Sequence, residues 1–157
     1  MRIGISWISA TLLLSVAAVH AQDRQPTASE TKLIRDCAAK HVDDGEGEGA
    51  CAFKLVAEPC IEKDGSNLGT ANCYRMEETI WDQVLNENYK ELMASIEEKN
   101  DQNKLKEMQR AWIAYRDTTC DFYWNKIHGS MAVPMSAACR LRETARRALL
   151  LAFLRTV

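Results

Sequence analysis

Apolar residues recur along this chain at the three-to-four spacing of amphipathic helices, in five separate windows. The first window opens with Thr27 and has Glu30 three positions later, which predicts a capping box at a helix start. A short second window covers about residues 50–58 and is expected to end before Pro59, because proline disfavours helix in the residue that precedes it. Three longer windows follow, at about residues 70–99, 104–127 and 136–154.

Polar or glycine-containing segments separate these windows. Residues 43–49 are rich in glycine and carboxylates, residues 64–67 form a turn signal, and the polar run 100–103 is expected to interrupt the longest helical stretch. No segment alternates apolar and polar residues over four or more positions. The pattern therefore predicts an all-α fold: a disulfide-stapled antiparallel bundle of three longer helices, with a helical hairpin at its N-terminal end.

Composition narrows the class of protein. A chain of 157 residues with 46% hydrophobic and 27% charged residues is typical of one globular domain. The net charge of −2 provides no overall attraction to nucleic acid, so no nucleic-acid partner is expected.

The N-terminus indicates export. Arg2 precedes an apolar run that ends in Val19, His20 and Ala21, and Val19 and Ala21 occupy the two positions that a signal peptidase reads. We therefore expect residues 1–21 to be a signal peptide and residues 22–157 to be a single mature domain without a transmembrane segment. The mature protein is expected in the periplasm or outside the cell.

All six cysteines belong to the mature domain, and an even number in an oxidising compartment predicts three disulfides. No CxxC pair is present, so neither a metal site nor a redox site is expected. The favoured pairing joins residues that flank a loop or turn. It is Cys120 with Cys139, Cys37 with Cys51, and Cys60 with Cys73, while Cys37 with Cys60 and Cys51 with Cys73 is an open alternative.

An ordered set of residues between Cys73 and Leu151 carries a family resemblance. Its core is Gln109-x2-Trp112-x3-Arg116-x3-Cys120, preceded by Asn86 and Tyr89 and followed by Cys139, Thr144 and Arg147. This set resembles the small exported domain named for the N-terminal part of the lysozyme inhibitor LprI. The resemblance implies an all-helical, disulfide-stapled domain of the cell envelope and, for some members, inhibition of host lysozyme.

The same residues include an arginine that is expected to face inward and therefore to need a charge partner. Gln109, Trp112 and Arg116 are spaced to share one helical face, and an arginine there requires a carboxylate or several carbonyl oxygens. Glu78, Asp82 and Asn86 on the preceding helix are candidate partners. We expect a structural polar network, with a ligand-binding groove as the alternative. The network comprises Gln109, Trp112, Arg116, Arg147, Asn86 and Tyr89.

Catalysis has little support in this sequence. It contains no GxSxG, HExxH or phosphate-binding loop, and adjacent acids such as Glu77 and Glu78 are expected on a solvated helix face. The protein is therefore expected to be a non-enzymatic binding protein that uses no cofactor.

The acidic segment between the first two helical windows is the candidate partner-binding loop. Its carboxylates are Asp43, Asp44, Glu46 and Glu48, with no basic residue among them. Such a loop suits a cationic protein partner such as lysozyme, whereas the alternative is a solubilising turn. The second functional class is an envelope interaction module that does not inhibit lysozyme. The sequence leaves the oligomeric state open.

Overall fold

The computed structural model describes residues 24–42 and 47–157, in which helices are the regular secondary structure and no strand occurs. The signal peptide predicted for residues 1–21 lies outside the described residues. Six helices are present in the described part of the chain. They are α1 (Ala28–Lys40), α2 (Gly47–Cys51), α3 (Ala57–Ile61), α4 (Asn67–Ser95), α5 (Lys99–Lys126) and α6 (Ala132–Phe153).

Helix α6 is the centre of the bundle, since it packs against α4, α5 and α2. Its contact with α4 is the most extensive, and the residues that are fully buried there build the core. They are Ile80, Trp81 and Leu85 from α4, with Leu141 and Leu151 from α6. Within the described residues, no helix is both long enough and apolar enough to span a membrane.

The capping box predicted at the first helix is confirmed. The Thr27 side chain accepts a hydrogen bond from the Glu30 backbone N–H at 3.2 Å, and the Glu30 carboxylate accepts one from the Thr27 N–H at 2.7 Å. Arg24 also donates to Glu30, at 2.6 Å. This ion pair, assisted by the Thr27 hydrogen bonds, lowers the pKa of Glu30 to about 2.

Several helix boundaries differ from the sequence prediction. The window 50–58 is two short helices, and Pro59 lies inside the first turn of α3, where its missing N–H leaves no hydrogen bond unmade. Helix α5 begins at Lys99, so the polar run 100–103 lies within its first turns, and the break occurs at residues 96–98. The prediction of a break at 100–103 was therefore wrong.

Three disulfides staple these helices in the pairing that the sequence favoured. Cys37 bonds Cys51, Cys60 bonds Cys73 and Cys120 bonds Cys139, with Cα atoms 5.7, 5.7 and 5.4 Å apart. The alternative pairing among the first four cysteines was wrong. Three disulfides in a domain of this size fit an oxidising compartment.

Glu77 is buried rather than solvated, contrary to expectation. Its carboxylate accepts hydrogen bonds from the backbone N–H groups of Phe53 and Ala57, both at 2.8 Å, and from the Trp81 indole at 3.1 Å. Phe53 has a φ of 71°, in the left-handed region that non-glycine residues rarely adopt. Burial raises the pKa of Glu77, although all three N–H donors oppose that shift. The carboxylate thereby fixes the α2–α3 connection on α4.

Candidate functional site

A row of polar side chains lies where α5 packs against α6, and we call it the α5–α6 seam. Helix α5 contributes Gln109, Trp112 and Arg116 at three-to-four spacing, which places them on one face, together with Asp117, which follows Arg116 in the chain. Helix α6 contributes the opposing residues at similar spacing. The seam comprises Gln109, Trp112, Arg116 and Asp117 from α5, with Arg140, Thr144 and Arg147 from α6.

Arg116 occupies the middle of the seam. Its guanidinium lies over the Trp112 ring, 4.9 Å from the centroid, and pairs with Asp117 at 3.0 Å. It also donates to the Thr144 hydroxyl at 3.5 Å, and that hydroxyl donates to Glu78 of α4 at the same distance. Burial raises the pKa of Glu78, while Arg116 and Arg140 act in the opposite direction. Of the partners expected for Arg116, Glu78 is therefore the one that reaches this cluster.

Arg140 closes the end of the seam that lies near the Cys120–Cys139 disulfide. Its two terminal nitrogens donate to Asp117 and Asp121, each at 2.9 Å. Asp117 is thus shared by Arg116 and Arg140. This end of the seam contains as many acidic partners as its arginines require, which is the arrangement of a structural ion-pair network.

Arg147 lies at the other end and is paired differently. Its side chain is nearly enclosed, with 5% of the residue exposed. The Nε atom donates to the Gln109 side-chain oxygen at 2.9 Å, and the guanidinium lies 5.6 Å from the Trp112 ring centroid. The Nη2 atom is buried and has no hydrogen-bond acceptor among the described residues. Burial lowers the pKa of Arg147, because no carboxylate compensates its charge.

Two residues expected in the network lie elsewhere. Asn86 donates to the Asp82 carbonyl and carboxylate, at 2.8 and 2.9 Å, within its own helix. Tyr89 is partly buried against the hydrophobic core. The structure therefore brings together Gln109, Trp112, Arg116 and Arg147 from the expected set, and adds Asp117, Arg140 and Thr144.

Of the four carboxylates in the candidate partner-binding loop, the structure describes one, Glu48. Asp43, Asp44 and Glu46 lie outside the described residues. Glu48 lies in α2, where its carboxylate pairs with Arg146 and, at 3.7 Å, with Arg142. Glu48 thus ties the end of the acidic segment to α6.

An exposed apolar row runs along α5. Met108, Tyr115 and Phe122 are spaced by seven residues, which places them on the same side of the helix. Their exposed fractions are 36%, 53% and 60%. The three-to-four spacing of apolar residues in the window 104–127 predicts Met108 and Tyr115 on the inward face of that helix. In the structure, α5 itself buries only Leu105 and Cys120.

A cleft of about 350 Å³ lies between α1, α4 and α6. The charged residues that line it are paired with one another: Arg35 with Glu87, and Arg155 with Glu91. Apolar side chains such as Val84 and Leu149 line the rest. The cleft is therefore a concave surface whose charged lining residues are already paired with one another.

One group of potential metal ligands occurs among the described residues. Atoms of Cys37, His41 and Cys51 lie within 4.8 Å of one another. Both sulfur atoms belong to the Cys37–Cys51 disulfide, so neither is a thiolate that could bind a metal.

Comparison with known proteins identifies one family. The model of the family described as "Lysozyme inhibitor LprI" matches residues 60–151, more than half of the 157-residue chain. The match covers α4, α5 and nearly all of α6, including every residue of the α5–α6 seam. Searches of curated proteins and of solved structures find no match.

Proposed function

Because this chain belongs to the lysozyme inhibitor LprI family, we propose that it is an exported, non-enzymatic binding protein that inhibits lysozyme. The observation that carries the proposal is the family match over residues 60–151. Export rests on the signal peptide predicted for residues 1–21. The three disulfides are consistent with a periplasmic or extracellular location.

Inhibition would proceed by binding alone, through the acidic segment that follows α1. Lysozymes of the animal type are strongly cationic, so carboxylates at Asp43, Asp44 and Glu46 would accelerate association and favour the correct orientation. The Cys37–Cys51 disulfide joins the two ends of this segment. A segment tied at both ends loses less conformational entropy when it binds.

Glu48 has a supporting role in this proposal. The sequence analysis predicts Glu48 as one of the partner-binding carboxylates, but its carboxylate is engaged in ion pairs with Arg142 and Arg146. They also anchor the C-terminal end of the acidic segment to α6. The partner-binding carboxylates are then Asp43, Asp44 and Glu46.

A turbidity assay of bacterial lysis tests the proposal. The purified mature protein, in molar excess, should suppress lysis by lysozyme, and high salt should weaken the suppression because exposed charges are screened. Undiminished lysis under these conditions would rule out inhibition of the lysozyme that is tested.

A charge-matched pair of triple variants separates the loop from overall charge. Replacing Asp43, Asp44 and Glu46 by their amides should weaken inhibition by about tenfold or more, because steering charges are lost. The control changes the exposed residues Glu62, Glu97 and Glu107 to Gln, for the same change in net charge. Equal weakening in both variants would show that net charge, and not the loop, is responsible.

A second candidate function is an envelope interaction module that does not inhibit lysozyme. The observation that favours it is the exposed apolar row of Met108, Tyr115 and Phe122 on α5, since exposed apolar surface is a common feature of protein interaction sites. This function predicts unaltered lysozyme activity. It also predicts that Tyr115→Ser with Phe122→Ser abolishes a cross-link to an envelope protein that the wild type forms.

A further inference from the structure

We propose that the end of the α5–α6 hairpin docks on the surface of an anionic lipid bilayer. We call residues 122–135 the hairpin tip; they comprise the end of α5, the connection between the helices and the first turn of α6. Exposed apolar side chains of the tip enter the boundary between lipid headgroups and acyl chains. This surface does not include the acidic loop, so the proposal goes beyond lysozyme inhibition and does not depend on it.

The hairpin tip projects from the domain. Gln109 contacts Arg147 and Cys120 bonds Cys139, so the two helices run antiparallel. Gly129 lies near the midpoint of the connection and has a φ of 106°, which favours glycine. Apart from its chain neighbours, no described atom lies within 4 Å of the position that a Cβ atom would take at Gly129. The hairpin therefore ends in a turn that faces solvent.

Four large apolar side chains are exposed at the tip. The exposed fractions are 60% for Phe122, 47% for Trp124, 52% for Met131 and 39% for Met135. At 1.5 Å per residue, Phe122 lies about 6 Å from the end of α5, and Met135 lies about 5 Å from the start of α6. Interfacial segments bury their apolar groups to a depth of about 5–10 Å in a bilayer. The apolar groups of the tip therefore lie within the depth that such insertion reaches.

The arrangement of these side chains favours a lipid surface over a partner helix. Phe122 and Trp124 are two residues apart, which corresponds to about 200° around α5, so they lie on opposite flanks of the helix. A partner helix would need the apolar groups on one face. A bilayer surrounds an inserted tip and contacts both flanks. Tryptophan is also enriched at membrane–water interfaces.

The charge of the tip is suited to anionic lipid. Residues 122–142 contain no aspartate or glutamate, whereas Lys126 is exposed at the end of α5. A lysine near anionic headgroups strengthens binding, and its long side chain can keep the ammonium group in water while the stem lies against lipid. Asp121, just before the tip, is paired with Arg140 at 2.9 Å. The exposed charge at the tip is therefore cationic.

The start of α4 adds apolar surface at the same end of the molecule. The Asn67 side chain donates to the Ser130 hydroxyl at 3.0 Å, which joins α4 to the tip. Leu68, the next residue, is 49% exposed. Asp64 lies on the preceding turn, where its carboxylate accepts a hydrogen bond from the Ser66 backbone N–H at 3.0 Å. Two elements thus contribute exposed apolar groups to this end.

The Cys120–Cys139 disulfide closes the base of the tip. It joins α5 to α6 directly before and after the exposed apolar residues, so the tip is held in shape before it meets a membrane. A preorganised segment loses less conformational entropy on binding. The disulfide therefore supports docking of the tip as one rigid unit.

Sedimentation with lipid vesicles tests the proposal on the mature protein with its disulfides intact. Vesicles of phosphatidylglycerol mixed with phosphatidylcholine should bind the protein several-fold more tightly than vesicles of phosphatidylcholine alone. Acyl chains that contain bromine should quench the fluorescence of Trp124. The variant Trp124→Phe should still bind these vesicles but should lose most of the quenching, because Trp81 and Trp112 lie away from the tip.

A matched pair of double variants locates the contact. Phe122→Ser with Trp124→Ser should weaken vesicle binding by about tenfold or more, because apolar area that enters the bilayer is lost. The control, Ile113→Ser with Tyr115→Ser, changes two residues of the same spacing in the middle of α5. They are 41% and 53% exposed, and the control should bind as the wild type does.

A second matched pair tests the charge. Lys126→Gln should weaken binding to the anionic vesicles by about fivefold, because the tip loses its exposed ammonium group. Lys99→Gln removes an exposed lysine at the opposite end of α5 and should leave binding unchanged.

Four results would overturn the proposal. They are failure of the wild type to bind either kind of vesicle, equal weakening by the two double variants, absence of quenching by the brominated chains, and self-association without lipid that Phe122→Ser with Trp124→Ser abolishes. The last result would mean that a second copy of the chain covers the tip.

Discussion

The carboxylate of Glu77 accepts a hydrogen bond from the backbone N–H of Phe53 at 2.8 Å, across 24 residues of sequence. Phe53 has a left-handed φ of 71°. The same carboxylate also accepts a hydrogen bond from the backbone N–H of Ala57 at 2.8 Å. One buried side chain on α4 therefore fixes the path of the chain between α2 and α3. The irregular connection depends on this carboxylate because the N–H groups of Phe53 and Ala57 donate to it instead of to a carbonyl oxygen within a helix.

Replacing Glu77 by Ala should destabilise the fold strongly. Three buried N–H donors would lose their acceptor and a cavity would form, so we expect a loss on the order of 3–5 kcal/mol in the free energy of unfolding. Chemical denaturation monitored by circular dichroism measures it. Glu58→Ala, which removes an exposed carboxylate from α3, is the control and should change the free energy by less than about 0.5 kcal/mol. Similar values for both variants would contradict the anchoring role.

The two tryptophans of α5 should differ in their contribution to stability. Trp112 is partly buried against the core and contacts Arg116 and Arg147, whereas Trp124 is 47% exposed. We expect Trp112→Ala to cost about 2–3 kcal/mol, less than for a fully buried tryptophan, and Trp124→Ala to cost under about 1 kcal/mol. Thermal denaturation of the two variants gives the comparison. A larger loss for Trp124 would refute the assignment of Trp112 to the seam.

The Cys120–Cys139 disulfide should be the main anchor of α5, whose buried residues are Leu105 and Cys120. The double variant Cys120→Ser, Cys139→Ser should lose about 3 kcal/mol of stability. Hydrogen exchange should increase chiefly in the C-terminal half of α5. The matched control, Cys37→Ser with Cys51→Ser, opens a loop of similar length and should leave exchange in α5 much less affected. Uniform exchange changes in both variants would contradict this local role.

The capping box of α1 should weaken in acid. The folded-state pKa of Glu30 is lowered to about 2 by Arg24 and Thr27, below the ordinary value of 4.5. Its contribution is therefore complete above pH 4.5 and disappears as the pH falls towards 2. We expect Glu30→Gln to cost at most about 1 kcal/mol at pH 7, because the pair is solvent-exposed, and less at pH 2. Carbon-13 titration of the Glu30 carboxyl group measures the pKa directly, and a midpoint near 4.5 would refute the pairing.

Local sequence signals predicted the local features well. Thr27 and Glu30 form the capping box because its hydrogen bonds link residues three positions apart. The disulfide pairing was also accessible, since each pair flanks a short connection. Helix boundaries near Pro59 and residues 100–103 were less accurate, because proline and polar residues are tolerated in a first turn whose N–H groups need no helical partner.

The site was predictable in part. The spacing of Gln109, Trp112 and Arg116 placed them on one face, and the structure confirms that they lie together. The same spacing placed Met108 and Tyr115 inward, yet they are exposed because α5 is covered along a narrow stripe. Periodicity gives the direction of a face but not the width of the surface that another helix covers.

The sequence by itself determined the helical class, the three disulfides and the family of this protein. These features follow from short-range spacing and from an ordered motif within α4, α5 and α6. Only the tertiary structure decided that Glu77 is a buried acceptor and that Arg147 is a nearly enclosed cation without a carboxylate. The reason is physical: the burial and charge compensation of a side chain depend on groups from distant segments of the chain, and a local sequence pattern does not determine which of those groups will contact it.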